Sequence, residues 1–494
     1  MVTQPSYSQN ILVSIRVAKT RLEKALTEKP FLMAALVMAS TFILYLGTLI
    51  PEVGWGDSAE LSLVANQLGI THPPGYPLYT ILGKLCSVFF TDPAIGTNLL
   101  SALCSSLASG VLSLLIFELT AMPLISVLVA IVFSVLPNIW EMAVVTEVYN
   151  VNIFFLGCSI YLFLRAEQSR FTKFFIPSAV FFGLSLGTYQ ANLLLMPAFL
   201  LVLLISMPRD LALNKLVIFC SITGFIWLAF LAYSVFRSHA TLAINYHLFS
   251  FQEIVTYATG ANLRPPYPKD ITFYIERTIK HASLFSKNFL YLPIPIGLIG
   301  VFALFKQRRM LSLFLGLAFG INYLFFSYYA VSDYFTMPTA SYFIFSVFVG
   351  CGLAFLARKR SLVNENVEFA GIVLCVLLIG AQLVNQLPAR FERSNTRPVT
   401  ELILPALNVF PKNAIVISRW ERYAPLLYFQ QIRKIREDVS LVVSNEFLDQ
   451  IAAYSLQSPD RPILIDNNDR VLWDNYHIKR YYKRWFLIIA PIGK

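Results

Sequence analysis

The amino-acid sequence predicts a mainly α-helical, polytopic membrane protein that ends in a small α/β domain. Of its 494 residues 56% are hydrophobic and 14% are charged, and the mean hydropathy is +0.63. Soluble proteins carry about 25% charged residues. A membrane-spanning helix needs about 20 mostly apolar residues, and the chain has about eleven such runs. Beyond residue 387 the apolar runs become short and alternate with helical patterns, which is typical of an α/β unit.

The candidate spans follow one another from residue 31 to residue 386, which we take as the transmembrane domain. They lie near 31–50, 97–118, 121–139, 148–165, 174–190, 191–207, 216–236, 288–305, 310–330, 337–357 and 367–386. The apolar segment 78–90 is too short to cross a bilayer comfortably, so it is predicted to form an interfacial or re-entrant helix.

Basic residues between the spans indicate the orientation. They occur in the N-terminal tail 1–30 and in the loops after the fourth, sixth, eighth and tenth spans, which the positive-inside rule assigns to the cytoplasm. These loops contain Arg165, Arg170, Lys173, Arg209, Lys215, and the runs 306–309 and 358–360. We therefore interpret the net charge of +11 as a topology signal of a plasma-membrane protein, and we expect no nucleic-acid partner. The loops 51–96 and 237–287 and the domain 387–494 are predicted to be extracytoplasmic.

The sequence shows no metal or cofactor signature. It contains neither HExxH nor DxD, and its six cysteines lie in or beside apolar runs without a CxxC pair. These cysteines are interpreted as small buried apolar residues. We expect neither a metal nor a cofactor.

The segment 387–494 is predicted to form a small parallel sheet with helices. NAIVISRW, DVSLVVS and RPILI resemble strands, whereas PLLYFQQIRKIR and EFLDQIAAYSL between them resemble helices. Because the segment has no glycine-rich phosphate loop, we do not interpret it as a nucleotide site.

Two carboxylates stand out in the stretch GWGDSAELSLVANQLGITHPPGYPLYT at 54–80. Asp57 follows GWG, where glycine permits a tight turn and close approach to a ligand. Asp57 or Ser58 is expected to cap a helix that begins at Ala59, with Glu60 in its first turn. Residues three apart share one side of a helix, so Asp57 and Glu60 should lie together.

A rigid elbow follows at THPPGYPLY, residues 71–79. Three prolines stiffen the chain and Gly75 relieves the turn. His72 at the start of this elbow can change its charge near neutral pH and can donate a hydrogen bond to phosphate. We regard His72 as a candidate site residue, with a purely structural role as the alternative.

Other polar residues on the same membrane face are candidates for substrate binding. Glu147 begins an otherwise apolar span, where a charge is costly without a partner, whereas Glu141 nearby is consistent with simple solvation. Cations in the loop 237–287 run against the positive-inside bias, and an anionic lipid headgroup would explain them; Arg237, Arg264 and Lys269 are the alternatives for holding its phosphate. The full set of candidates is Glu147, Tyr189, Gln190, Arg237, Arg264 and Asp333, together with His72.

At these residues the chain resembles a known family. GDSAELSLVANQLGITHPPGYPLYTILGKL is similar to the N-terminal signature of a membrane family, long catalogued as a domain of unknown function, that includes the animal transmembrane protein O-mannosyltransferase. The similarity continues through WEMAVVTEVYNVN and GLSLGTYQANLLLMP and, more weakly, through residues 421–439. This family is placed in the GT-C superfamily of polytopic glycosyltransferases.

The resemblance implies a GT-C-like fold and an inverting transfer of a hexosyl or mannosyl unit from a polyprenyl-phosphate donor. In such enzymes an acid of the first outer loop acts as general base or positions the acceptor, and Asp57 occupies that place, with Glu60 as its catalytic neighbour. The acceptor is left open between glycan, lipid and protein, and several members need no metal. The physical logic agrees, because an acceptor hydroxyl needs a carboxylate to take its proton.

Two other classes of function remain as alternatives. A transporter or flippase of lipid-linked sugars would place ionisable groups in mid-membrane and often shows internal repeats. Here the centres of the spans are nearly free of charge and the acids cluster on one face, which favours an enzyme. In a non-catalytic membrane scaffold, Asp57 could be neutralised without loss of function.

Overall fold

The computed structural model describes residues 19–240, 242, 244, 246–261, 270–329, 335–358, 364–467 and 469–491. Helices dominate the first four hundred residues, and one mixed sheet follows them. The helices before the sheet are α1 (Pro30–Gly47), α2 (Asp57–Gln67), α3 (Pro77–Ser87), α4 (Pro93–Thr120), α5 (Pro123–Ser134), α6 (Pro137–Ala143), α7 (Val148–Gln168), α8 (Phe175–Leu186), α9 (Met196–Ser206), α10 (Arg209–Ser238), α11 (Phe251–Thr259), α12 (Ile271–Asn288), α13 (Pro293–Gln307), α14 (Arg309–Tyr328), α15 (Thr339–Arg358), α16 (Asn364–Ser394) and α17 (Pro398–Val409).

Among the described residues, seven helices are long and apolar enough to cross a membrane. The number rises to nine if two bent pairs are each one span: α5 with α6, bent by 70°, and α12 with α13, bent by 97°. The predicted runs at 174–190 and 191–207 correspond to shorter apolar helices, Phe175–Leu186 and Gln190–Ser206. The prediction of many apolar helices is thus confirmed, whereas the count of eleven spans stays a prediction.

Proline and burial explain how this bundle is built. Proline stands at the first or second position of α1, α3, α4, α5, α6 and α13, where its missing N–H costs nothing. The most apolar windows of α4 and α15 are 83% buried, whereas that of α10 is 11% buried. Helices α4 and α15 therefore form the centre of the bundle, and α10 lies at its periphery.

The C-terminal domain contains a five-stranded sheet with the order β2-β1-β3-β5-β4. The strands are β1 (Ile415–Ser418), β2 (Ser440–Val443), β3 (Ile463–Ile465), β4 (Tyr476–Tyr482) and β5 (Trp485–Pro491), and the helices between them are α18 (Trp420–Arg433), α19 (Phe447–Gln457) and α20 (Arg470–Asn475). Strand β1 pairs in parallel with β2 and β3, whereas β5 is antiparallel to both β3 and β4.

The sequence identified the three parallel strands and their helices correctly and missed the β4–β5 hairpin. That hairpin turns at Lys483, which has a φ of 46°, and its turn lacks the Asn-Gly or Asp-Gly pair that marks a hairpin in a sequence. The predicted domain boundary at residue 387 falls inside α16, which continues to Ser394.

The loop 51–96 and the C-terminal domain share one hydrophobic core. Val53, Ala59 and Leu63 pack in the same cluster as Leu427 and Trp485. Glu52 is 2% exposed, and its carboxylate accepts the backbone N–H groups of Val399 at 2.9 Å and Thr400 at 2.8 Å. The buried carboxylate thus satisfies two N–H groups that have no partner inside α17. The C-terminal domain therefore rests directly on the loop that contains Asp57.

Candidate active site

Helix α2 begins at Asp57, two residues earlier than the sequence predicts. Its N-cap is Gly56, which has a φ of 52° and makes no side-chain cap, so the expected capping by Asp57 or Ser58 is wrong. A side chain at Gly56 would be strained by this φ and would pack against Trp420. The Gly56 N–H donates instead to the Glu421 carbonyl at 3.2 Å. The C-terminal domain therefore defines where the helix starts.

The carboxylate of Asp57 lies at the junction between the loop 51–96 and the C-terminal domain. The indole Nε1–H of Trp420 donates a hydrogen bond to Asp57 Oδ1 at 2.5 Å. Asp57 is only partly buried. A carboxylate in the first turn of a helix is also favoured by the helix dipole. The Trp420 contact thus fixes the orientation of the Asp57 carboxylate.

Glu60 and His72 form a buried pair beside Asp57. The side chain of Glu60 is fully buried and that of His72 is 19% exposed. Glu60 Oε1 accepts the backbone N–H of His72 at 2.7 Å, and Glu60 Oε2 lies 2.5 Å from His72 Nδ1. A buried carboxylate needs such partners to offset its lost hydration. The predicted placement of Asp57 and Glu60 on one side of α2 agrees with this geometry.

The acids control the charge of His72. Burial lowers the pKa of His72, but the negative charges of Glu60 and Asp57 outweigh burial and raise the pKa from 6.5 to about 10. The imidazole is therefore protonated at neutral pH, and its Nε2–H points to the Tyr76 hydroxyl at 3.2 Å. The site combines two carboxylates with one positive charge.

The proline elbow is held rigidly from both sides. Gly75 has a φ of 84° and approaches the Tyr257 hydroxyl so closely that a Cβ would overlap it. That hydroxyl donates to the Thr71 carbonyl at 3.0 Å. On the other side the Gln190 amide donates to the Pro74 carbonyl at 2.8 Å. Gln190 therefore lies where it positions His72 through the elbow.

Tyr189 and Glu147 also join this cluster. The Tyr189 ring stacks on Tyr76 with centroids 6.4 Å apart. Burial raises the pKa of Tyr76, and the charge of Glu147 adds a smaller effect in the same direction. Glu147 also helps Glu60 and Asp57 to raise the pKa of His72 against the effect of burial. The structure thus brings together Asp57, Glu60, His72, Glu147, Tyr189 and Gln190.

Arg237 lies elsewhere. Its guanidinium donates from Nε to the Leu68 carbonyl at 2.5 Å and from Nη2 to the Gln67 carbonyl at 3.0 Å. These carbonyls end the 11-residue helix α2, roughly 16 Å from its start at 1.5 Å per residue. Arg237 therefore caps the C-terminal end of α2 and lies far from Asp57. Arg264, Lys269 and Asp333 lie outside the described residues.

Asp57, Glu60 and His72 offer ligand atoms that all lie within 4.8 Å of one another, which is close enough to hold a metal ion. Three protein ligands are the usual number in a catalytic zinc site. However, both oxygens of Glu60 already accept hydrogen bonds from His72, and a metal ligand must be a neutral imidazole. The arrangement described here fits an acid–base network better than a metal centre.

Trp420 is a site residue that the sequence did not reveal. It is separated from Asp57 by 363 positions. The available signal was the weak family similarity of residues 421–439, which start directly after it. A tryptophan at the first position of a helix has no local pattern that separates a site residue from an interfacial aromatic.

Comparison with known families agrees with this geometry. Residues 57–212 match the family described as protein O-mannosyl-transferase TMEM260 N-terminal domain. The chain is 34% identical over 139 residues to protein O-mannosyl-transferase TMEM260 of Mus musculus, which is 28% of this chain and 20% of that protein. It is 31% identical over 148 residues to its counterpart in Dictyostelium discoideum, covering 29% of this chain and 18% of that one. The matched segment thus spans about a fifth of these relatives.

Solved structures extend the similarity to the whole fold. ArnT from Cupriavidus metallidurans in the apo state superposes with a TM-score of 0.57 at 11% identity, covering 93% of this chain and 96% of that chain. The archaeal oligosaccharyltransferase AglB from Archaeoglobus fulgidus, in complex with an inhibitory peptide and a dolichol-phosphate, gives a TM-score of 0.59 at 11% identity, covering 91% and 70%. The resemblance predicted from the sequence is confirmed: residues 57–212 match the TMEM260 N-terminal domain, and the chain shares its fold with ArnT and AglB.

Proposed function

We propose that this protein is an inverting glycosyltransferase that moves a hexose, such as mannose, from a polyprenyl phosphate to an acceptor hydroxyl at the outer face of the membrane. The observation that carries the proposal is the carboxylate of Asp57, fixed by Trp420 where the first outer loop meets the C-terminal domain. The relatives are named protein O-mannosyl-transferases. Two structural neighbours contain dolichol-phosphate or undecaprenyl phosphate.

The proposed reaction is a single displacement. The acceptor oxygen forms a bond to the anomeric carbon of the sugar while the bond from that carbon to the phosphate oxygen breaks. Asp57 takes the acceptor proton, and the electron pair of the broken bond leaves with the polyprenyl phosphate. General base catalysis of this kind contributes about 10²–10⁴-fold in rate. Attack from the face opposite the phosphate inverts the anomeric centre.

Glu60 and His72 shape the site around this base. Glu60 holds His72 in its protonated form, so a positive charge remains beside the two carboxylates. A fixed positive charge stabilises the negative charge that develops on the leaving phosphate. Tyr76 and Tyr189 stack beside this cation and limit the access of water. Glu60 and His72 therefore shape the site and stabilise the charge of the leaving phosphate, whereas Asp57 accepts the proton.

The orientation proposed for this reaction follows the basic loops. The N-terminal tail lies in the cytoplasm, and the loop 51–96 and the C-terminal domain lie outside it, in the plasma membrane of the cell. Two bent helix pairs and seven long apolar helices support a multi-pass arrangement. A donor headgroup at the outer leaflet would then meet Asp57 from the membrane side, and the acceptor would arrive from the C-terminal domain.

The test uses the full chain in lipid nanodiscs with polyprenyl-phosphate mannose and glucose as donors and a cell-envelope extract as a source of glycan, lipid and protein acceptors. Release of free polyprenyl phosphate is measured for the wild type, for Asp57→Asn, and for Asp460→Asn, which makes the same change at an exposed turn of the C-terminal domain. We expect release by the wild type and the control, and a loss of at least about a hundredfold in Asp57→Asn.

Two outcomes would contradict the proposal. Equal release by Asp57→Asn and wild type, with both proteins folded, would move the base away from Asp57. No release with either donor, combined with movement of the donor across the membrane of sealed vesicles, would instead support a flippase. The acceptor class is identified from the labelled product of the wild-type reaction.

A further inference from the structure

A second candidate site lies in the C-terminal domain, outside the Asp57 cluster. It is an open cavity of about 790 Å³, which is within the usual size of a small-molecule site. Its lining includes the residue that follows β1, the two residues that follow β3, and the β4–β5 hairpin. The lining residues are Arg419, Glu421, Arg422, Asp466, Asn467, Trp473, Arg480, Lys483, Arg484 and Phe486.

The position of the cavity in the sheet is the one at which open α/β sheets bind ligands. The chain leaves β1 for β2 on one side and later returns to β3 on the other side of β1. The connections therefore separate at the carboxyl ends of β1 and β3, which opens a crevice there. Arg419 directly follows β1 and Asp466 directly follows β3, so both lie in this crevice.

The cavity carries an excess of positive charge. Its lining includes five cationic side chains, against the two acids Glu421 and Asp466. Arg422 is paired with Asp466 at 3.0 Å, and Lys483 donates to the Glu401 carbonyl at 2.7 Å. In the described part of the chain no ion pair engages the guanidinium groups of Arg419 and Arg484. These two guanidinium groups are available to an anion, which arginine binds in a bidentate manner.

A buried carboxylate lies behind the wall of the cavity and holds two of its arginines in place. Asp466 is 7% exposed, and its Oδ2 accepts hydrogen bonds from Arg422 Nη1 at 3.0 Å and from the Arg419 backbone N–H at 3.3 Å. Its Oδ1 has no hydrogen-bond partner among the described residues. An unpaired buried acceptor costs about 1–3 kcal/mol. Because the Asp466 side chain is inaccessible to solvent, it supports the cavity wall and leaves contact with a ligand to the cationic side chains.

Aromatic side chains form one wall of the cavity. The rings of Trp473 and Phe486 lie 6.1 Å apart at 80°, so they present one flat face and one edge. The C–H face of a sugar ring packs on such flat apolar surfaces. The cavity thus offers apolar contact and cations together.

We propose that this cavity binds an anionic saccharide, a sugar that carries a phosphate or carboxylate group, as part of the acceptor. Arg419 and Arg484 would bind the anionic group, and the aromatic wall would contact the ring. The assignment of the ligand as acceptor rests on the proposed transferase function. A peptide could supply the negative charge but lacks the ring that the aromatic wall fits.

The same turn of the chain connects this cavity with Asp57. Arg419, Glu421 and Arg422 line the cavity, whereas Trp420 between them donates to Asp57. The Glu421 carbonyl also accepts the Gly56 N–H. An acceptor held in the cavity is therefore recognised by residues adjacent to the group that holds the base.

The test measures binding directly, without any donor, by calorimetry on the full chain in nanodiscs. The probes are mannose 6-phosphate and glucuronic acid, compared with mannose, inorganic phosphate and a hexaglutamate peptide. We expect the two charged sugars to bind, and their affinity to fall at least tenfold in the double variant Arg419→Gln/Arg484→Gln. Lys479→Gln is the matched control, because successive side chains of β4 point to opposite faces and Arg480 lines the cavity. Circular dichroism verifies that each variant is folded.

The outcomes separate this inference from the proposed function. No binding of either charged sugar, or equal binding by the double variant, overturns the inference while release of polyprenyl phosphate remains a separate measurement. Equal affinity for inorganic phosphate, or tighter binding of the hexaglutamate peptide, overturns the saccharide assignment. Charged-sugar binding that persists in Asp57→Asn supports the cavity as the site. If the donor is never cleaved, the acceptor role is overturned even though the cavity binds.

Discussion

The indole of Trp420 donates a hydrogen bond of 2.5 Å to the carboxylate of Asp57 from a position 363 residues further along the chain. This contact joins the first outer loop to the start of α18. It orients Asp57 without neutralising it, because an indole N–H can only donate. The C-terminal domain is therefore part of the candidate active site.

Replacing this donor tests its contribution to catalysis. Trp420→Phe keeps an aromatic ring but removes the N–H, and hydrogen bonds to charged groups contribute about 1.5–3 kcal/mol. We expect the rate of polyprenyl phosphate release by the folded protein to fall roughly 10- to 100-fold, mainly in kcat, and the melting temperature to fall as well, because the same hydrogen bond stabilises the fold. Trp55→Phe is the control, since Trp55 is 39% exposed and lies two residues from Asp57. Equal rates for the two variants would show that the contact is incidental.

The His72–Glu60 pair predicts a pH-dependent stability. Because the pKa of His72 is raised from 6.5 to about 10 in the folded protein, protonation of His72 stabilises the fold. This contribution is complete below about pH 6.5 and is lost as the pH rises towards 10. Thermal unfolding should therefore show that the stability advantage of wild type over His72→Gln shrinks across this range.

His72→Gln should lower the free energy of unfolding strongly below about pH 6.5, where the contribution of the protonated His72 is complete. Removing one partner of a buried ion pair typically costs about 3–5 kcal/mol, and Glu60 is fully buried. His477→Gln, at an exposed position of β4, should change stability little at any pH. A pH-independent difference between wild type and His72→Gln would contradict the proposed charge state.

The elbow predicts that Gly75 tolerates no side chain. Gly75→Ala would adopt an unfavourable φ of 84° and overlap the Tyr257 hydroxyl. We expect a loss of about 1–3 kcal/mol in the free energy of unfolding and a lower transfer rate. Gly380→Ala is the matched control, because no atom lies within 4 Å of a Cβ at that position and alanine favours the helix. A neutral Gly75→Ala would contradict the packing of the elbow.

The hydrogen-bonded form of the Asp57, Glu60 and His72 cluster predicts activity without a divalent metal. We expect polyprenyl phosphate release to be unchanged after dialysis against EDTA, because both Glu60 oxygens are occupied by His72. Release is measured before and after dialysis and after adding back Mn²⁺ or Zn²⁺. Activity lost with EDTA and restored by one of these ions would make the three residues a metal site.

Much of the site was predictable because its signals are local. Asp57 and Glu60 are one helical turn apart. Three prolines and Gly75 within nine residues indicate a rigid elbow. The sequence also pointed to four polar residues that interrupt or border an apolar run, where a polar group is costly without a partner. They are His72, Glu147, Tyr189 and Gln190. The structure brings all of them to one cluster with Asp57.

Arg237 is a candidate whose role as a phosphate ligand stays a prediction. Its charge on the expected outer face suggested a phosphate ligand, but its guanidinium caps the end of α2. An arginine satisfies helix carbonyls and phosphates with the same donors, so only the folded chain distinguishes the two.

The apolar helices, the parallel strands and the acids of the loop 51–96 could be predicted from the sequence, because hydrophobic period and turn chemistry act over a few residues. The tertiary structure alone decided that Trp420 holds Asp57, that α2 begins at Asp57, and that Arg419, Asp466 and Arg484 surround one cavity. These features depend on contacts between distant segments. The packing of the C-terminal domain on the outer loop creates them, and no short stretch of sequence encodes that packing.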